Sequence, residues 1–177
     1  MYVERRALAA QLVAKGRRLE GYAAVYGAEA QIRDYTETIA PGAFQSTLAE
    51  SKDILALADH DPTRLLARTK NRTLRLTEDT RGLHFDLDLP DTTAGRDVLA
   101  LAERGDLGGA SFAFTTRKDG DHWDGDHREL RSVTLHEISI VSSWPAYEGT
   151  LVQARARLSP TGPTRYQLAR RFLDSVS

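Results

Sequence analysis

Leu83, Phe85, Leu87 and Leu89 alternate with His84, Asp86 and Asp88, and side chains repeating every second residue line the two faces of a half-buried β-strand. A shorter alternation, Thr73 to Thr77, precedes it, and Asp79 to Gly82 supplies the turn between them. Four more segments read as strands. They are Leu19 to Tyr26, broken by Gly27; the apolar run Ile54 to Ala58; Gly108 to Phe114, entered through glycines; and Val133 to Ser142, ended by Trp144 and Pro145. Helical spacing is rarer. Phe44 and Leu48 stand four apart after Pro41 and Gly42, and Thr93 to Arg104 carries Val98, Leu99, Leu101 and Ala102 before the stop at Gly105. Ala9 to Val13 fits one or two helical turns, Pro163 to Val176 fits a terminal helix, and the polar stretch Ala28 to Thr38 reads as a surface crossing. Strands thus dominate without a repeating strand-helix-strand unit, which predicts a mainly β, α+β fold with peripheral helices around an antiparallel sheet or barrel.

A chain of 177 residues holds one substantial core. The expected division is an N-terminal arm over 1–17, a catalytic domain over 18–152, and a basic C-terminal tail or docking helix over 153–177, where Arg155, Arg157, Arg165, Arg170 and Arg171 face only Asp174. The formal net charge of -1 lacks the basic excess of a general phosphate-backbone binder, so nucleic acid is not the expected partner. No run of 18 apolar residues predicts a membrane span, and the opening Glu4, Arg5, Arg6 is unlike a signal peptide, so the expected place is the cytoplasm. The absence of cysteine leaves hydroxyl, imidazole and carboxylate groups for any chemistry.

Three residues carry that chemistry best. Ser111 follows Gly108, Gly109 and Ala110, and small residues let backbone amides approach a bound carbonyl. It is also readable as a plain serine in a glycine-edged strand, and the G-x-S-x-G elbow of an α/β-hydrolase is missing. His60 stands between Asp59 and Asp61 at the exit of the Ile54 to Ala58 strand, where an imidazole can be held firmly and still reach a hydroxyl; a turn anchor is the plainer reading. Glu137, within Leu135 to Val141, needs a partner if buried, and an imidazole N–H would serve. An edge glutamate facing water remains the alternative. His136 should point to the opposite face from Glu137 unless a bulge intervenes.

The run Asp119 to His127 is rich in carboxylates and imidazoles, but matches neither the H-E-x-x-H zinc pattern nor the calcium loop. It reads as a solvated hairpin tip joining the Ser111 and Glu137 strands rather than the site of a metal-dependent hydrolase. Neither a metal nor a cofactor is expected. Arg117 and Arg131 read as surface cations, with the mouth of the active site as the other reading; Arg64, Arg68, Lys70 and Arg72 read as solvating a polar loop after the His60 strand, with a local basic patch for an acidic peptide as the alternative.

Taken in order, Glu20 to Ala23, Ala40 to Phe44, Asp59 to Asp61, Gly109 to Phe114, and Glu137 to Val141 before Pro145 to Tyr147 resemble the caudoviral prohead proteases, maturation peptidases related in fold to the herpesvirus assembly protease. The resemblance spans about residues 18 to 150, with Ala113 standing where the family often has glycine. It implies a closed or strongly curved antiparallel β-barrel ringed by helices. It further implies a serine endopeptidase with Ser111 as nucleophile, His60 as base and Glu137 as the matching carboxylate, the herpesviral relatives using a second histidine there. The implied substrates are scaffold protein, the N-terminal delta region of the major capsid protein and the protease itself, inside the assembling procapsid; a homo-oligomer is compatible with this. A catalytically silent assembly or scaffold-binding protein of the same fold is the competing expectation.

Overall fold

The computed structural model describes residues 2–9 and 12–142. Among them are thirteen strands and two helices in three sheets. The first sheet runs in the order β1 (Glu4–Leu8), β10 (Gly109–Thr116), β13 (Val133–Val141), β6 (Leu55–Ala58) and β7 (Asp61–Arg68). The second joins β11 (Asp121–Asp124), β12 (His127–Leu130), β5 (Tyr35–Ile39) and β4 (Ala30–Ile32). The third joins β2 (Val13–Lys15), β3 (Arg18–Val25), β9 (Gly82–Asp88) and β8 (Leu74–Glu78).

The mainly β class with peripheral helices holds, but the expected barrel does not. Among the described residues each sheet is open, the first ending at β1 on one side and β7 on the other, and no pairing closes the ends. Nor is the pairing antiparallel throughout, because β13 runs parallel to β6 and β12 parallel to β5. Alternation along a strand reports its faces and says nothing of its neighbours.

Where apolar alternation is strong, strands fall as expected. In β9, Leu83, Phe85 and Leu87 are fully buried while His84, Asp86 and Asp88 stay partly exposed, and Arg75 of β8 bridges to both aspartates. Three expectations fail on charged or edge segments. The stretch read as a surface crossing contains β4 and all but the last residue of β5, and the one deeply buried position of β5 is Glu37. The stretch read as helical turns holds instead the start of β2, while β1 precedes it with Arg6 as its buried position. The polar loop after His60 is the edge strand β7. The C-terminal tail or helix over 153–177 lies outside the described residues.

One core joins the sheets. Ala110, Phe112 and Phe114 of β10 point into it with Val133, Leu135, Ile138 and Ile140 of β13, and Phe44 meets Phe112 edge-on at 5.4 Å. α1 (Gln45–Ala49) lies over β13, where the Thr47 hydroxyl donates to Val133 O at 2.8 Å and accepts from Leu135 N at 3.1 Å. α2 (Thr93–Arg104) is capped at its start by Thr92, whose Oγ1 accepts from Gly95 N, and ends at Gly105 with φ 74°.

Gly95 in that first turn reverses a common expectation. Glycine to alanine inside a helix normally adds about 1 kcal/mol of stability. Here an alanine Cβ would sit 2.1 Å from Pro90 O, so G95A should instead destabilise by about 1–3 kcal/mol. Urea unfolding of both proteins measures the difference.

Candidate active site

β10 and β13 place two of the three sequence candidates on one surface. Ser111 pairs with Ser139, and Ala113 with Glu137. Residues two apart share a strand face, so Ser111, Ala113, Ser139 and Glu137 form a square on the side of the sheet away from Phe112 and Ile138. Ser111 and Glu137 occupy one diagonal.

A bulge makes this arrangement possible. Ala113 pairs with Glu137 but the next residue, Phe114, pairs with Leu135, leaving His136 without a partner in the ladder. Val133 and Leu135 are buried on odd positions before it; Ile138 and Ile140 are buried on even positions after it. The slip keeps both pairs in the core and turns Glu137 outward. His136 bulges toward solvent, and its Nε2 stands 3.1 Å from Thr115 Oγ1. Partial burial and the nearby Lys52 ammonium lower its pKa.

His60 reaches the same face from the two-residue turn between β6 and β7. Ala58 pairs with Asp61, and Asp59 and His60 have φ of 53° and 60°, the sign pattern of a type I′ hairpin, whose twist suits adjoining strands. From there the imidazole spans the diagonal: Nδ1 lies 2.5 Å from Glu137 Oε1 and Nε2 lies 2.8 Å from Ser111 Oγ. With Nδ1–H donating to the carboxylate, Nε2 is left as an acceptor for the hydroxyl. Ala113 and Ser139, both small, keep the square beneath the ring free of bulk.

The neighbouring strand β1 adds two groups that the sequence did not reveal. The Ser111 hydroxyl also lies 2.8 Å from the carbonyl oxygen of Arg6, a second acceptor for its single proton. Arg5 Nε stands 3.8 Å from Glu137 Oε1. β1 itself is tied down by buried ions. Arg6 donates to Glu37 at 2.6 and 2.8 Å, and Arg128 donates to Glu37 at 3.1 Å, to Glu4 at 2.8 and 3.1 Å and to Asp121 at 2.8 Å. Burial alone raises the Glu4 pKa, but Arg128 and Arg6 outweigh it and hold that carboxyl below its ordinary range.

The remaining candidates sit apart. The Asp119 to His127 run forms the β11–β12 hairpin, with His122, Trp123 and Asp124 exposed and His127 bonded to Thr36 and Thr38. Arg117 pairs with Glu50, Arg131 with Glu129, Arg64 with Asp59 and Arg68 with Asp53.

A hydroxyl, an imidazole and a carboxylate in one hydrogen-bonded line invite comparison with known proteins. The sequence profile of the caudovirus prohead serine proteases matches residues 4–162. The chain belongs to that family. A solved structure of the bacteriophage T4 capsid assembly protease aligns over 80% of this chain and 97% of its own, with TM-score 0.55 and 9% identity, which shows a shared fold. No curated protein sequence matches. Membership makes this a protein of a serine peptidase family associated with phage head assembly.

Two predictions follow from the ion network that fixes β1. Replacing Glu37 by alanine leaves two buried guanidinium groups short of their shared partner; the loss should be about 3–5 kcal/mol in chemical denaturation. Because the folded Glu4 pKa lies below its ordinary value of 4.5, its share of stability is present above that pH and is lost as pH falls through the folded value. Unfolding free energy should therefore decline more steeply on acidification below pH 4.5 in the parent than in E4Q.

Proposed function

We propose that this family member is the serine endopeptidase of head maturation, with Ser111 as nucleophile, His60 as general base and Glu137 as the carboxylate that orients the imidazole. The observation carrying the reading is the unbroken line from Ser111 Oγ through both ring nitrogens of His60 to Glu137, at 2.8 and 2.5 Å. The proposed substrates are scaffold protein, the N-terminal delta region of the major capsid protein and the protease's own chain, inside the procapsid assembling in the host cytoplasm.

In this mechanism Nε2 of His60 removes the Ser111 proton as Oγ attacks a peptide carbonyl carbon. The C–N bond then breaks, and the imidazolium returns its proton to the departing amine. Water, deprotonated by the same nitrogen, attacks the acyl-enzyme ester and frees Ser111. Glu137 stays ionised throughout, fixes the tautomer and favours the imidazolium. For the first step the Ser111 proton must point to His60 rather than to the Arg6 carbonyl. Small movements of β1 therefore bear on reactivity.

The test is co-expression of the chain with its capsid protein, read by intact mass. The parent should yield cleaved product; S111A and H60A should leave the substrate whole, with both variants folded. E137A should lose less than S111A, by about 10- to 100-fold, as orienting members of such triads do. Uncleaved substrate with the parent, together with no mass shift at Ser111 from an aryl phosphonate, would instead identify a silent assembly protein. Parental cleavage by S111A would remove the nucleophile assignment.

A further inference from the structure

His60 sits at a positive φ in a two-residue turn, away from the ladders that hold Ser111 and Glu137. Positive φ is uncommon outside glycine, and among the other residues Asn, Asp and His adopt it most often. Asp59 and His60 adopt it consecutively, in a turn type that favours Asn-Gly or Asp-Gly. The second position is therefore occupied by histidine where the turn type prefers glycine.

Asp59 is bonded on every side to compensate. Its amide donates to Ile140 O at 2.9 Å, joining the turn to the end of β13. Its carboxylate accepts from Ser142 N at 2.8 Å, Ser142 Oγ at 2.9 Å and Arg64 Nη1 at 2.8 Å. Ile140 and Ser142 lie three and five residues beyond Glu137 on the same run of chain. The turn carrying His60 is thus clamped to the strand carrying Glu137. On its other side Asp61 Oδ1 accepts from Thr63 N and Thr63 Oγ1, which fixes the entry to β7.

We infer that Asp59 is a positioning residue: its carboxylate clamps the His60 turn to the end of β13 and so holds the imidazole on the Ser111–Glu137 diagonal. Asp59 touches none of the three proposed reacting groups and acts through His60 alone. The inference rests on the proposed role of His60 for its catalytic consequence. The geometric part stands separately.

The turn and the clamp separate by substitution. Glycine accepts positive φ freely but has no carboxylate. Asparagine tolerates positive φ and retains one oxygen for the Ser142 amide. Alanine has neither advantage. Two readouts apply to the full chain: the rate at which an aryl phosphonate labels Ser111, by intact mass, and the low-field 15N–1H signal of the His60 Nδ1–H bonded to Glu137. D59G and D59A should both lose the signal and label about 100-fold more slowly, the scale set by small misplacement of a reacting group. D59N should stay within about tenfold of the parent. Parental labelling and an intact signal in D59G would overturn the inference, leaving Asp59 as a turn former only. Should the parent itself take no label, the protease reading falls, while the Nδ1–H signal in D59G still decides whether the clamp holds the imidazole.

Discussion

One residue of slip in β13 governs the site. A strand buried by its apolar side chains keeps one phase, and under that rule Glu137 would fall on the same face as Leu135, in the core. A carboxylate there is costly without a partner. The extra residue at His136 changes the phase, so that Leu135 and Ile138 both stay buried while Glu137 emerges beside Ser139. The same slip spares Ser111 any rearrangement. β10 keeps its own alternation, with Phe112 and Phe114 inward and Ser111 and Ala113 on the side that faces His60. The bulge thus reconciles a continuous core with a polar row on the reverse of the sheet.

The bulge also explains why the neighbouring histidine does not compete for His60. Strict alternation would put His136 and Glu137 on opposite faces. In the bulge His136 is instead drawn toward Thr115, two residues along β10 from Ala113, and finds its hydrogen bond there. Glu137 remains the partner of Nδ1. The apolar signal for this was present in the sequence: Val133 and Leu135 share one parity, Ile138 and Ile140 the other. A change of parity within a single strand marks a bulge, and a charged residue just after it is placed outward.

Some of the strands hidden from the sequence share a cause. β1 and β5 each have one deeply buried position, and both positions are charged: Arg6 and Glu37. Hydrophobic alternation cannot register a strand whose inward side chain is an ion, because it ranks that residue as surface. Burial becomes tolerable only when the charge is paired and hydrogen-bonded, and here the partner comes from a sequence-distant strand, Arg6 and Glu37 being 31 residues apart. β12 shares the feature in part, burying Arg128 together with Leu130. The elements that carry His60, Ser111 and Glu137 were legible because each residue sits beside apolar or glycine-rich sequence that fixed its local element. The open ends of the sheets were not, since pairing at an edge leaves no trace in the periodicity of either strand.

The site therefore depends on two kinds of anchoring with different vulnerabilities. Ser111 and Glu137 are held by ladder hydrogen bonds and core side chains, which many small changes in sequence can preserve; a shared fold at 9% identity is the expected result. His60 has no such redundancy, because a two-residue turn offers few contacts and both of its residues lie in a disfavoured backbone region. What keeps the imidazole in place must be specific bonds at the turn itself. Drift in the core should thus leave the diagonal intact, while a change at the turn reaches the His60 imidazole directly.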